Sequence, residues 1–107
     1  MTKRFVILAH TVNGATHCDL MLEVAGQEKL RTYQLSRWPL AVGESCDCER
    51  LDDHRRVYLD YEGEISGGRG FVERVAAGTW TGDIVLHPED GETVPLAIAD
   101  ASVTRRG

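Results

Sequence analysis

The sequence predicts a mainly β fold, an antiparallel barrel or sandwich of a single domain. Short runs alternate apolar and polar residues with period two, and Gly, Asn, Asp and Pro bound them. No window of eleven or more residues carries a helical stripe, and the eleven glycines are spread over the whole length. At 107 residues the chain has material for one core and no second.

The expected strands are Arg4 to His10, Cys18 to Val24, Leu30 to Leu35, Val57 to Tyr61, Gly70 to Ala76, Thr79 to Leu86 and Thr93 to Ala99. Turns are placed at Asn13-Gly14, Gly26-Gln27, Gly67-Gly68, Gly78 and Asp90-Gly91, where glycine or asparagine admits positive φ. Between the third and fourth strands, Arg37 to Asp53 contains Pro39, Gly43 and the pair Cys46 and Cys48, and reads as a long connection. Residues Val103 to Gly107 are expected to fray.

Hydrophobic residues make up 42% of the chain and charged residues 27%, a balance that argues against disorder and coiled coil. The longest apolar run, Phe5 to Ala9, is too short for a signal-peptide core or a membrane span, so a cytoplasmic protein with no membrane contact is expected. The net charge of −5 is the wrong sign for bulk electrostatic binding to nucleic acid, so any such contact must be local. Ten of the twelve cationic residues are arginine, the side chain suited to bidentate phosphate contacts. Three cysteines, with Cys46 and Cys48 as C-x-C, argue for reduced thiols rather than a disulfide framework. The same spacing disfavours a structural zinc module.

The segment His17 to Val24 alternates strictly. On a strand, His17, Asp19, Met21 and Glu23 project to one face, and Cys18, Leu20, Leu22 and Val24 to the other. His10 ends the preceding strand and returns beside His17 if the two strands pair through a turn at Asn13-Gly14. Two imidazoles and one carboxylate can hold a divalent ion and leave positions open. The alternative is that both histidines are ordinary hydrogen-bonded rim residues. A second cluster runs from Arg50 through Asp52, Asp53, His54, Arg55 and Arg56 to Tyr58, Asp60, Tyr61 and Glu62, either a solvated charged face or the mouth of such a site. His87, before Pro88, reads as a plain surface residue.

In order along the chain stand F-V-I-L-A-H at 5–10, H-C-D-L-M-L-E at 17–23, D-D-H-R-R-V-Y-L-D-Y-E-G at 52–63, I-S-G-G-R-G at 65–70 and G-T-W at 78–80. This set resembles the 3′-phosphoesterase domain of bacterial and archaeal DNA ligase D. The resemblance implies a small antiparallel β-barrel over residues 1–107, keeping the long connection around residues 37–53. It also implies a bound Mn²⁺ (or Zn²⁺ or Co²⁺) and removal of 3′-phosphates or 3′-ribonucleotides in DNA repair and end joining. By position, His10, His17 and Asp19 correspond to the metal ligands. His54, with Asp52 and Tyr58, corresponds to the second histidine motif, Asp52 standing where glutamate is usual.

The His10 to His17 interval is one residue longer than in the family pattern. Met21 stands where the family has a catalytic arginine. A substitute guanidinium could come from Arg69, or from Arg50, Arg55 or Arg56. The implied partners are DNA or RNA-tailed DNA 3′ ends, held weakly and locally by a monomer, with a repair ligase or polymerase as a further partner. The competing expectation is a catalytically silent relative that binds a nucleotide, a nucleic-acid end or a repair protein.

Overall fold

A computed structural model describes residues 2–107. Nine strands form: β1 (Lys3–Val12), β2 (Ala15–Leu22), β3 (Leu30–Leu35), β4 (Ser45–His54), β5 (Gly63–Glu64), β6 (Phe71–Thr81), β7 (Val85–Pro88), β8 (Val94–Ala99) and β9 (Ser102–Arg105). The only helix among the described residues is a single 3₁₀ turn, Arg56–Leu59. No helix there is long and apolar enough to cross a membrane.

Eight strands close into an antiparallel barrel in the order β1-β2-β3-β4-β9-β8-β7-β6, with β6 returning to β1 and β5 added beside the start of β6. Strand direction must alternate around a closed antiparallel ring, which requires an even number of staves. The chain builds it as two four-strand meanders, β1 to β4 and β6 to β9. Residues 55–70 carry the chain from the end of β4 to the far side of β1. The barrel interior is already filled, so this crossover runs over the outer wall.

Two apolar clusters follow. Phe5, Ile7, Cys18, Leu20, Leu22, Leu35, Leu86, Leu96 and Val103 are among the residues filling the interior. Val6, Leu8, Met21, Leu30 and Val72 form a second cluster on the outer face, capped by Tyr58 and Leu59 of the 3₁₀ turn. The Cys18, Leu20, Leu22 face is therefore the barrel lining, and the opposite face is buried too wherever the crossover covers it.

Several expectations are corrected. The segment Arg37 to Asp53 is not one long connection: residues 36–44 connect, and Ser45–His54 is a strand. Cys46 and Cys48 are buried and alternate with exposed Asp47 and Glu49, so the cysteines serve as small apolar residues of the lining. All three cysteines are free. Val57 to Tyr61 is not a strand. Tyr58 N–H donates to the Arg55 carbonyl and Asp60 N–H to that of Val57, and the resulting turn aims the consecutive residues Tyr58 and Leu59 at the outer wall.

Gly78 is no turn. It lies inside β6, and glycine is needed there because a Cβ would stand 2.1 Å from the His87 carbonyl oxygen on β7. Residues Val103 to Arg105 do not fray either: β9 joins β4 to β8 and buries Val103 completely, and Arg106 and Gly107 lie beyond the strand.

Candidate metal centre on the outer wall

The hairpin β1–β2 turns at Asn13 and Gly14 with φ of 51° and 80°, the two positive values that a tight two-residue turn requires. That turn fixes the register, setting His10 opposite His17, Leu8 opposite Asp19 and Val6 opposite Met21. Because Val6 and Leu8 lie on the outer face, His10, His17 and Asp19 lie there as well. The structure thus brings together the three residues singled out from the sequence, and their ligating atoms all fall within 4.8 Å of one another.

His17 Nε2 is 3.1 Å from Asp19 Oδ1, and His10 Nδ1 is 3.6 Å from Asp19 Oδ2. Donors sharing one ion at ~2.0–2.2 Å stand roughly 3–3.5 Å apart. Asp19 is only 3% exposed, and its Oδ1 makes no hydrogen bond of good geometry among the described residues, its close neighbour being His17 Nε2. A buried carboxylate oxygen without a donor is costly and calls for a cation. Burial pushes the Asp19 carboxyl above its ordinary range, while His17, His10 and His54 pull it back.

The second ring nitrogen of His10 fixes its tautomer. Nε2–H donates to the Arg69 carbonyl oxygen at 2.7 Å, which leaves the Nδ1 lone pair facing Asp19. That carbonyl reaches β1 because Gly70 packs against the strand: a Cβ at Gly70 would lie 1.9 Å from Thr11 O, and its φ is +84°. The residues present fit a divalent ion held by His10 Nδ1, His17 Nε2 and Asp19.

Compared with known protein families and with curated proteins, the sequence matches no family model and no curated sequence. The residues must carry the argument.

Beside the triad lies a cleft of about 340 Å³ whose lining includes His10, Asp19, His54, Arg55, Tyr58 and Arg69. Two strand irregularities shape it. Between Leu30↔His54 and Thr32↔Leu51, β4 carries one residue more than β3, which aims His54 rather than Asp53 at the outer face. In β6 an extra residue between the partners of Ile7 and Leu8 puts Val72, not Glu73, opposite His10. His54 Nδ1–H donates to the Asp52 backbone carbonyl at 2.8 Å, leaving Nε2 free at the cleft.

Asp52 therefore orients His54 through its backbone, not through its carboxylate. Tyr58 braces the imidazole with its ring, at 6.0 Å between centroids, and makes no hydrogen bond to it.

Among the arginines, Arg55 and Arg69 line the cleft, and neither has a carboxylate partner among the described residues. Arg69 Nε is braced on the Ser66 carbonyl, and Arg55 lies toward the Tyr58 ring. Arg50 is instead held by Asp53 and by the Thr32 and Leu51 carbonyls. Arg56 pairs with Glu23, which also accepts from the Arg4 backbone, so Glu23 takes no part in the triad. Met21 is 1% exposed beside Asp19's face and belongs to the outer apolar cluster. His87 bonds Thr81 across β6 and β7, away from the cleft.

Sequence reasoning missed the Arg69 carbonyl, a backbone group with no side-chain signature. It also missed Ile65 and Val72 in the cleft wall, which the crossover and the irregularity in β6 bring in.

Proposed function

We propose that the chain is a divalent-metal-dependent phosphoesterase acting on 3′ ends of DNA or primer-like strands, related to the 3′-phosphoesterase domains of DNA ligase D. One observation carries this reading. The buried Asp19 oxygen, His17 Nε2 and a His10 whose tautomer is set by the Arg69 carbonyl converge beside a cleft that also holds His54 and two guanidiniums without a carboxylate partner among the described residues. Metal-binding residues alone would suit many roles. Metal-binding residues beside three phosphate-directed cationic or proton-carrying groups suit phosphoryl chemistry.

His10, His17 and Asp19 would hold the ion, Mn²⁺ by the resemblance. Bound there, it supplies Lewis-acid polarisation of a phosphate oxygen. His54 presents Nε2 as a phosphate contact or proton donor, with Nδ1 anchored on Asp52 O so that the ring does not rotate away. Arg55 and Arg69 neutralise the remaining phosphate charge, and the crossover with Tyr58 walls one side against water. The local positive field is thereby built without a basic surface, in keeping with the net charge of −5.

Met21 favours a second reading, a binding module for a nucleotide or nucleic-acid end, because no cation stands at that position on the triad's face. The test is release of inorganic phosphate from a DNA strand ending in a 3′-phosphate, with Mn²⁺ added to the full chain. Release that is lost in His54→Ala while metal stays bound supports the enzyme. Bound metal with no release by the wild-type chain supports the binding module.

A further inference from the structure

A second cleft adjoins the first. It measures about 380 Å³ and shares Arg55, Tyr58, Ile65 and Arg69 with the metal-side cleft, then continues outward to Tyr61 and Val57. Its volume lies near the lower end of the ~300–1,000 Å³ typical of small-molecule sites, room for one nucleoside. The walls are held in place. Tyr61 packs edge-to-face on Tyr58 with centroids 6.1 Å apart, and its hydroxyl donates to the Glu64 carbonyl. Tyr58 is buried between the crossover and the barrel wall, while Val57 is 53% exposed at the rim, an apolar side chain presented to solvent.

The boundary between the two clefts is cationic. Arg55 and Arg69 line both, and neither is spent on a carboxylate among the described residues. A ligand lying across them would meet guanidiniums in its middle, imidazoles at one end and, at the other, the side chains of Tyr61, Val57 and Ile65 with Glu64 and Ser66 on the same wall. That sequence of chemistries matches a nucleoside bearing a 3′-phosphate: the phosphate between the triad, His54 and the two arginines, the sugar just beyond them, the base against Tyr61 and Val57. Stacking of this kind accepts any base, because every base has a π-face.

We infer that the cleft of Tyr61, Val57 and Ile65 is a base-accepting subsite for the nucleotide that carries the 3′-phosphate, so that the protein selects nucleoside 3′-phosphates over phosphomonoesters without a base. The identity of the phosphate end rests on the proposed function; the base subsite itself makes a separate demand on binding. The terminal nucleotide is read by stacking and apolar contact, without sequence preference, and a strand whose last residue is abasic forfeits that contact.

The experiment is a binding titration of the full chain, metal-free and Mn²⁺-loaded, with a nucleoside 3′-monophosphate and with ribose 3-phosphate. Calorimetry reads both forms, and NMR of the Tyr61 ring and Val57 methyls reads the metal-free one. The nucleotide should bind about 5- to 100-fold more tightly than the base-free compound and shift both residues. Tyr61→Ala should erase that difference, while Tyr61→Phe keeps it. Val57→Ser, a neutral change on the exposed rim, should weaken nucleotide binding and leave ribose 3-phosphate unaffected. Equal affinity for the two compounds, or unchanged nucleotide binding in Val57→Ser, overturns the subsite even if the protein cleaves 3′-phosphates. A nucleotide preference that survives where no cleavage is found upholds the subsite and removes only the catalytic reading.

Discussion

Replacing Gly70 by alanine should uncouple the loop 66–70 from β1 and weaken metal binding without touching a ligand. The new Cβ would stand 1.9 Å from Thr11 O and 2.9 Å from Val12 Cγ2, and reaching even 3.0 Å from the carbonyl requires a shift of about 1.1 Å. The Arg69 carbonyl is attached directly to Gly70, so the same shift carries it beyond hydrogen-bond reach of His10 Nε2, now 2.7 Å away. His10 then loses the contact that selects its Nε2–H tautomer, and loss of such a partner typically lowers metal affinity by about 10- to 100-fold.

Stability falls as well, by about 1–2 kcal/mol for a side chain at positive φ and about 1 kcal/mol for the hydrogen bond. Gly26→Ala is the control, since Gly26 has φ of +78° but nothing within 4 Å of its Cβ. It should lose the backbone component of stability and keep wild-type metal affinity. Competition against a chelating dye measures affinity, and nitrogen-detected NMR reports the His10 tautomer. A Gly70→Ala protein that binds metal like wild type and keeps the Nε2–H tautomer would refute the coupling.

Leu20 is fully buried in the barrel lining, so Leu20→Ala should cost about 2–5 kcal/mol in urea unfolding, and a loss under 1 kcal/mol would place it outside the core. Burial pushes the Cys48 thiol up to about 11 from 9.0, with Cys46 adding to the shift. The folded chain thus keeps a proton that the unfolded chain gives up, and stability must decline as pH rises through that interval. The urea midpoint should drop between these pH values and drop less in Cys48→Ala; equal slopes would discount the thiol. Met21→Arg places a guanidinium on the triad's face at the cleft floor, where it should raise phosphate release per folded molecule by about one to three decades while lowering the melting temperature. Unchanged release would mean that Arg55 or Arg69 already serves that purpose.

The β class and the juxtaposition of His10, His17 and Asp19 were legible in the sequence because both depend on local rules. Period-two alternation fixes which side chains share a face, and Asn13-Gly14 is the signal of a two-residue hairpin. The strand Ser45–His54 was hidden by its cysteines, which suggest chemistry when read as a pair and act here as small apolar residues. Val57 to Tyr61 alternates like a strand, yet only a 3₁₀ turn lets Tyr58 and Leu59 both reach the outer cluster. The irregularities that aim His54 and Val72 insert one residue each, and nothing in the composition marks where an insertion falls. Met21 and Asp19 are buried because a distant segment crosses over them, a tertiary fact that strand periodicity does not contain.

The proposed chemistry requires one divalent cation shared by His10, His17 and Asp19. A Mn²⁺ titration of the wild-type chain, followed by calorimetry and by melting temperature, tests it most directly. One site per chain is expected, and at an excess of about 100-fold over Kd a stabilisation of about 2.7 kcal/mol, or roughly 10 °C or more. In Asp19→Asn both signals should vanish while the metal-free protein remains folded, since the substitution removes the buried carboxylate with the orphaned oxygen. Binding of the same strength in Asp19→Asn and His10→Ala, or no thermal shift in wild type at millimolar Mn²⁺, would contradict the account.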